Sequence, residues 1–298
     1  MEWFRPLAAG LLALLIVSGG ALVVFHLRRK ARRPLWAKPR PWPSAWGMVE
    51  ALGLPLALAI APQASLPLLV LVVLYHFAQQ TEPARLGLAL GRSATHLSAA
   101  YLVWLTTTPL IFAVNYAVTR YHTDWLGLPR VVHPLLQRVS ESNDPSVWGE
   151  FLLSVLLVAP LIEELIFRGA VQGWATSRLL GGPVVLAVCA VVNALLPGPE
   201  RWMRTIFLLG ALLAALPYAQ LVVRLRLAAD VPRALGIYAA SLLFAIFHAS
   251  TWPDPVPLLL LGLALGHLTD RTRSLLAPIL MHSLFNSVSA FLALLGWA

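Results

Sequence analysis

Apolar residues run through this chain in long blocks separated by short polar stretches. The first block covers residues 7–27 and is followed at once by Arg28, Arg29, Lys30, Arg32, Arg33, Lys38 and Arg40. Residues 46–77 are nearly uncharged apart from Glu50, with Pro62 and Gln63 interrupting them, and read as one long helix or two short ones. Residues 95–118 form the next block. A polar stretch with His122, Asp124, His133, Glu141 and Asp144 follows, ending near Ser146, and predicts a loop with a short surface helix. A span then begins near Trp148 and passes Arg168. Five more apolar segments cover residues 183–196, 206–223, 234–249, 256–267 and 274–295. None of the blocks alternates apolar and polar positions as a spanning barrel strand does. Since about 20 apolar residues cross a bilayer, the pattern predicts an all-α, multi-pass transmembrane helix bundle of about eight or nine membrane segments. Several segments are short enough to be re-entrant or buried within the bundle.

Composition supports a bilayer over a soluble core. The 298 residues are 59% hydrophobic and only 12% charged, against about 25% charged in a soluble domain. The mean hydropathy is +0.76. A net charge of +9 could suggest a nucleic-acid partner. About a third of the basic residues, however, sit directly after the first apolar block, as in a membrane anchor with a cytoplasmic, lipid-facing sequel. No basic-aromatic module accompanies them, so membrane lipids are the expected partners and nucleic acid is not. The first block is too long for a signal-peptide core and lacks a small-residue cleavage site, so it reads as a retained helix with its N-terminus outside. The expected location is the cell membrane, plasma or inner. Cys189 is the only cysteine, which excludes an intrachain disulfide and a multi-cysteine zinc site.

The candidate chemistry lies where polar groups interrupt apolar blocks. Glu163 and Glu164 are adjacent carboxylates among Leu, Val and Ile. Insertion scales put a central ionisable residue at about 2.5–3.5 kcal/mol, and such residues commonly mark function. Glu164 and Arg168 stand at i and i+4, glutamate first, the favourable order for an ion pair. Glu163 is rotated about 100° around the helix from Glu164 and is free to face a cavity. Pro160 removes a backbone donor and, by α-helical counting, releases the Leu156 carbonyl. Phe244 and His248 share one helix face, and so do His282 and Asn286. Each pair alone is compatible with plain interhelical packing or hydrogen bonding.

Taken together, Glu163–Glu164–x–x–x–Arg168, Phe244–x–x–x–His248 and His282–x–x–x–Asn286 resemble, in order and at every position, the three motifs of the CPBP intramembrane proteases. That family includes the CaaX prenyl-endopeptidases and the bacteriocin-processing and self-immunity proteins. The resemblance covers residues 148–298 and implies a protease core there. It leaves an anchor helix with its basic stretch at 1–45 and accessory transmembrane helices with a polar loop at 46–147. Many relatives join the first two motifs by one short connection, whereas about 75 residues lie between them here, enough for two extra helices around residues 183–223.

The resemblance implies an endopeptidase acting on membrane-associated peptides or proteins without cofactor or metal. Glu163 would be the general base, assisted by His248. His282 and Asn286 would donate to the oxyanion, and Glu164, Arg168 and Phe244 would support the site. Ser283 and Cys189 have no visible base partner and are not expected as nucleophiles. Three other readings stay open. One is a metal-dependent protease using Glu163, His248 and His282, although the His-Glu-x-x-His motif is absent. Another is a non-catalytic scaffold or immunity factor. The third is a transporter, although no repeated halves appear.

Overall fold

The computed structural model describes residues 44–88, 93–129, 134–142, 144–196 and 201–294. The expected helix over residues 7–27, the basic cluster after it and His133 lie outside the described residues. Every regular element among the described residues is helical.

Ten α-helices follow in order among the described residues. Helices α1 (Met48–Ile60) and α2 (Pro62–Ala78) form a hairpin. The interruption at residues 61–62 thus makes two helices rather than one. Pro62 disfavours the α conformation in the residue before it, and Ala61 accordingly sits at φ −141°, ψ 74°. Helix α3 (Ser93–Arg120) ends in a π turn, Tyr121–Trp125. The polar stretch holds the short helix α4 (Pro134–Ser140).

Helix α5 then runs without a break over residues 145–175, carrying the two glutamates. It starts at Pro145 because Asp144 caps it, accepting the Ser146 N–H at 2.8 Å, and proline suits the first helical position. The same hydrogen bonds hold the Asp144 carboxyl below its ordinary range. Helices α6 (Gly181–Leu195), α7 (Arg201–Arg224), α8 (Val231–Phe247), α9 (Pro255–Thr272) and α10 (Leu276–Leu294) complete the bundle. Helices α6 and α7 lie between Arg168 and Phe244 in the chain.

Helix α8 is the centre of the core. Residues 236–246 are all buried, and the helix packs against α5, α6, α7 and α9. Its contact with α9 depends on Gly262 and Gly266, one turn apart. A Cβ at Gly262 would lie 3.0 Å from the Ser241 side chain, and one at Gly266 would lie 2.9 Å from both Ile237 Cγ2 and Gln172 Oε1. Small residues at this spacing let two helix backbones approach closely. They also leave carbonyls in reach of α5: Arg168 Nη2 donates to Gly262 O at 3.3 Å and Gln172 Nε2 to Gly266 O at 2.8 Å.

The outer surface is apolar. Ile206, Leu209, Leu213 and Leu216 of α7 all face outward, Leu213 being 80% exposed. An apolar stripe of this extent is costly in water and natural in lipid. Among the described residues, His96–Trp125 and Arg201–Arg224 are long and apolar enough to cross a membrane. Five shorter apolar helices have 10–17 residues. The expected eight or nine membrane segments are thus not confirmed: the described residues hold two full-length candidate spans and five shorter apolar helices.

Candidate active site

Helix α5 is not a regular α-helix around the glutamates. A π segment at Ser154–Val158 precedes a short α stretch, Ala159–Glu163, and a second π segment covers Glu164–Gln172. Such widened turns gather at functional sites because they redirect side chains without ending the helix. In the first π segment the Ala159 N–H bonds to Ser154 O. The next residue, Pro160, has no N–H to give. The Val155 carbonyl is thus passed over by both, and Asn286 Nδ2 of α10 donates to it at 2.9 Å. Sequence counting points to the Leu156 carbonyl. The carbonyl that Asn286 reaches is one residue earlier because the helix is in π register at this point.

Glu164 and Arg168 are fully buried, with Arg168 Nε 3.3 Å from Glu164 Oε2. The guanidinium also lies over the Phe244 ring, its Cζ 4.4 Å from the centroid. An ion pair removed from water needs such added partners, since Coulomb attraction alone barely offsets desolvation.

The other oxygen of Glu164 reaches the third motif. His282 Nδ1 lies 3.0 Å from Glu164 Oε1, and His282 Nε2 lies 3.7 Å from Glu163 Oε2. The imidazole therefore stands between the two glutamates. Glu163 differs from its neighbour in keeping 23% of its side chain exposed, so it is the carboxylate that solvent or substrate can reach. Its Oε2 is buried without a hydrogen-bond partner.

Phe244 joins the second motif to this cluster. Its ring packs edge-on against His282 at 5.7 Å and against Phe167 of α5 at 5.5 Å between centroids, and at a tilt against His248 at 4.8 Å. His248 sits at the end of α8, where its Nδ1 bonds to the Phe244 carbonyl at 2.9 Å. A carbonyl only accepts, so Nδ1 carries the proton and, in the neutral ring, Nε2 is the basic nitrogen.

All seven residues singled out in the sequence thus lie along one connected path over α5, α8 and α10. Among the described residues no hydrogen bond joins His248 to Glu163; their link runs through Phe244, Arg168 and His282. His282 and Asn286, on one face of α10, reach different groups of α5, the Glu164 carboxylate and the Val155 carbonyl. Ser283 Oγ donates to its own helix at Ile279 O, and Cys189 is buried with Sγ 3.8 Å from Ala239 O. Gln172, Gly262 and Gly266 escaped sequence reasoning. Gln172 stands one turn beyond Arg168, and a Gly-x-x-x-Gly spacing within an apolar block was the available signal for the other two.

Among the described residues no group of three or more His, Cys, Asp or Glu is arranged to hold a metal ion. The arrangement offers one accessible carboxylate, two imidazoles and a side-chain amide within an apolar bundle. That set suits proton transfer and stabilisation of a developing oxyanion. No curated protein and no solved structure matches the chain. A family model does match, over residues 146–226 and 218–288, a region that holds all three motifs. Over these residues the chain is similar to the Rce1-like type II CAAX prenyl endopeptidase family.

Proposed function

We propose that this protein crosses the cell membrane several times and hydrolyses peptide bonds of membrane-associated peptides or proteins, using water activated by Glu163. The observation that carries the reading is the placement of one partly exposed carboxylate, Glu163, beside a histidine contributed by another helix, His282, at 3.7 Å. Its twin Glu164 is sealed in an ion pair. Two adjacent glutamates in such different surroundings have different tasks.

In the proposed reaction Glu163 takes a proton from water as the water oxygen attacks the peptide carbonyl. His248, whose Nδ1 is committed to the Phe244 carbonyl, offers Nε2 to the same water. The oxyanion forms near His282 and Asn286. The amide of Asn286 keeps one N–H on Val155 O and has a second for the oxyanion. The proton held by Glu163 passes to the leaving nitrogen, and the products are a carboxylate and an amine. No acyl-enzyme is formed. The family description names CAAX prenyl substrates, so a prenylated C-terminal segment is the first substrate class to try.

The test is a comparison of membrane proteomes from cells carrying wild-type protein or Glu163→Gln. The reading expects one or more membrane proteins to keep an uncleaved segment in the variant. Identical termini in the two samples, with both proteins equally abundant, would contradict it.

A further inference from the structure

Glu164 has no solvent-exposed surface, and neither has Arg168. Neither can touch a substrate, yet both carboxylate oxygens of Glu164 are engaged, Oε2 by Arg168 and Oε1 by His282. We infer that Glu164 is a positioning residue for His282, with Arg168 serving to hold the carboxylate that orients the ring. This rests on the peptidase reading above.

A carboxylate paired with a guanidinium accepts and does not donate. At 3.0 Å from Glu164 Oε1, His282 Nδ1 is therefore the donor and carries a proton. That leaves Nε2 as the nitrogen turned toward Glu163. The ring has little freedom to turn over, because the Phe244 ring meets it edge-on at an interplanar angle of 85°. The carboxylate is equally constrained. Arg168 is anchored by Gly262 O of α9 and by the face of Phe244 from α8. Three helices thus fix the position of one oxygen atom, more than an intrahelical ion pair needs.

The consequence concerns the oxyanion. With its Nδ1 proton given to Glu164, His282 can donate to a substrate oxygen only from Nε2, and only when the ring holds both protons. The counter-charges for that ring are present: Glu164 on one side and Glu163 on the other. With His282 and Arg168 both charged, the four groups sum to zero, which suits an apolar bundle. A ring with its proton on Nε2 alone would instead turn a lone pair toward Glu164.

The inference is tested on the full chain in detergent by nitrogen-15 NMR of labelled histidine. The His282 signals are those missing from the spectrum of His282→Gln, among eight histidines. Wild-type protein should show a protonated Nδ1. In Glu164→Gln, Arg168 claims the amide oxygen, the NH2 group turns to the ring, and the proton should move to Nε2. In that variant Nε2 donates only from a neutral ring with no carboxylate behind it to sustain a positive charge, so kcat should fall about 10²-fold or more, as when an orienting carboxylate is lost elsewhere, while KM stays within a few-fold.

A wild-type His282 with unprotonated Nδ1 would overturn the inference, and that spectrum decides the matter even if Glu164→Gln does not fold. A folded Glu164→Gln with the proton moved and kcat unchanged would overturn it as well. Wild-type protein that hydrolyses nothing would sink the peptidase reading and leave the ring measurement standing, so the two failures are distinguishable.

Discussion

Asn286 Nδ2 donates to the Val155 carbonyl at 2.9 Å, joining two helices across 131 positions of sequence. The bond repairs a gap that Pro160 and the π register open in α5, and it sets the distance between the third motif and the helix that carries Glu163. Asn286→Ala should therefore have two effects. Leaving the carbonyl unpaired should lower stability by about 1–3 kcal/mol, and losing an oxyanion donor should lower kcat about 10²–10³-fold with little change in KM. Pro160→Ala restores an N–H near Val155, so the stability loss should shrink in that background by about 0.5–3 kcal/mol. Denaturation of the four proteins in detergent measures this coupling, and strictly additive losses would show that Asn286 is not the carbonyl's essential partner.

The two glycines of α9 make a second prediction. A Cβ at Gly266 would press on Ile237 Cγ2 and Gln172 Oε1, each at 2.9 Å. Gly266→Ala should cost about 1–3 kcal/mol through overpacking and should weaken the Gln172 contact that aligns α5. Gly210 of α7 has open space around its Cβ direction, so Gly210→Ala should be neutral or stabilising. Melting temperatures of the two variants check the contrast, and equal shifts would refute the close-packing account.

Arginines set the third prediction. Arg178, Arg224, Arg226, Arg271 and Arg273 lie at one end of the bundle, where the Arg271 side chain reaches Arg226 O and where Gly236 abuts Thr176. Ser44, just beyond the basic stretch, touches Gly173 at the same end. Cytoplasmic loops collect such charge. Arg178→Cys should be labelled by an impermeant thiol reagent only in inside-out vesicles, and Ser250→Cys only in right-side-out ones. Cys189 is buried, so the added cysteines report alone. The reverse pattern would place this end outside.

What could be read in the sequence follows the distance over which each interaction acts. Arg168 four residues after Glu164 is a local relation, and helical geometry alone suggests their contact. The His282–Glu164 bond spans 118 positions, and nothing local points His282 at Glu164 rather than at a substrate. The Val155 carbonyl was out of reach for another reason. Counting four residues back from Pro160 assumes a regular helix, and the π register depends on a donor from α10. The start of α5 lay three residues before Trp148 because Asp144 and Pro145, polar and helix-breaking by composition, are a cap and a first helical residue. The break at Ala61, by contrast, follows from Pro62 itself.

The most direct test is turnover by the purified wild-type protein and its Glu163→Gln variant on a panel of membrane-anchored peptides that includes prenylated CAAX sequences, before and after exhaustive chelation. The account predicts cleavage by wild type that survives chelation, and no detectable cleavage by a Glu163→Gln protein that remains folded in detergent. Near-normal cleavage by Glu163→Gln, or wild-type activity lost on chelation and restored by zinc, would contradict it.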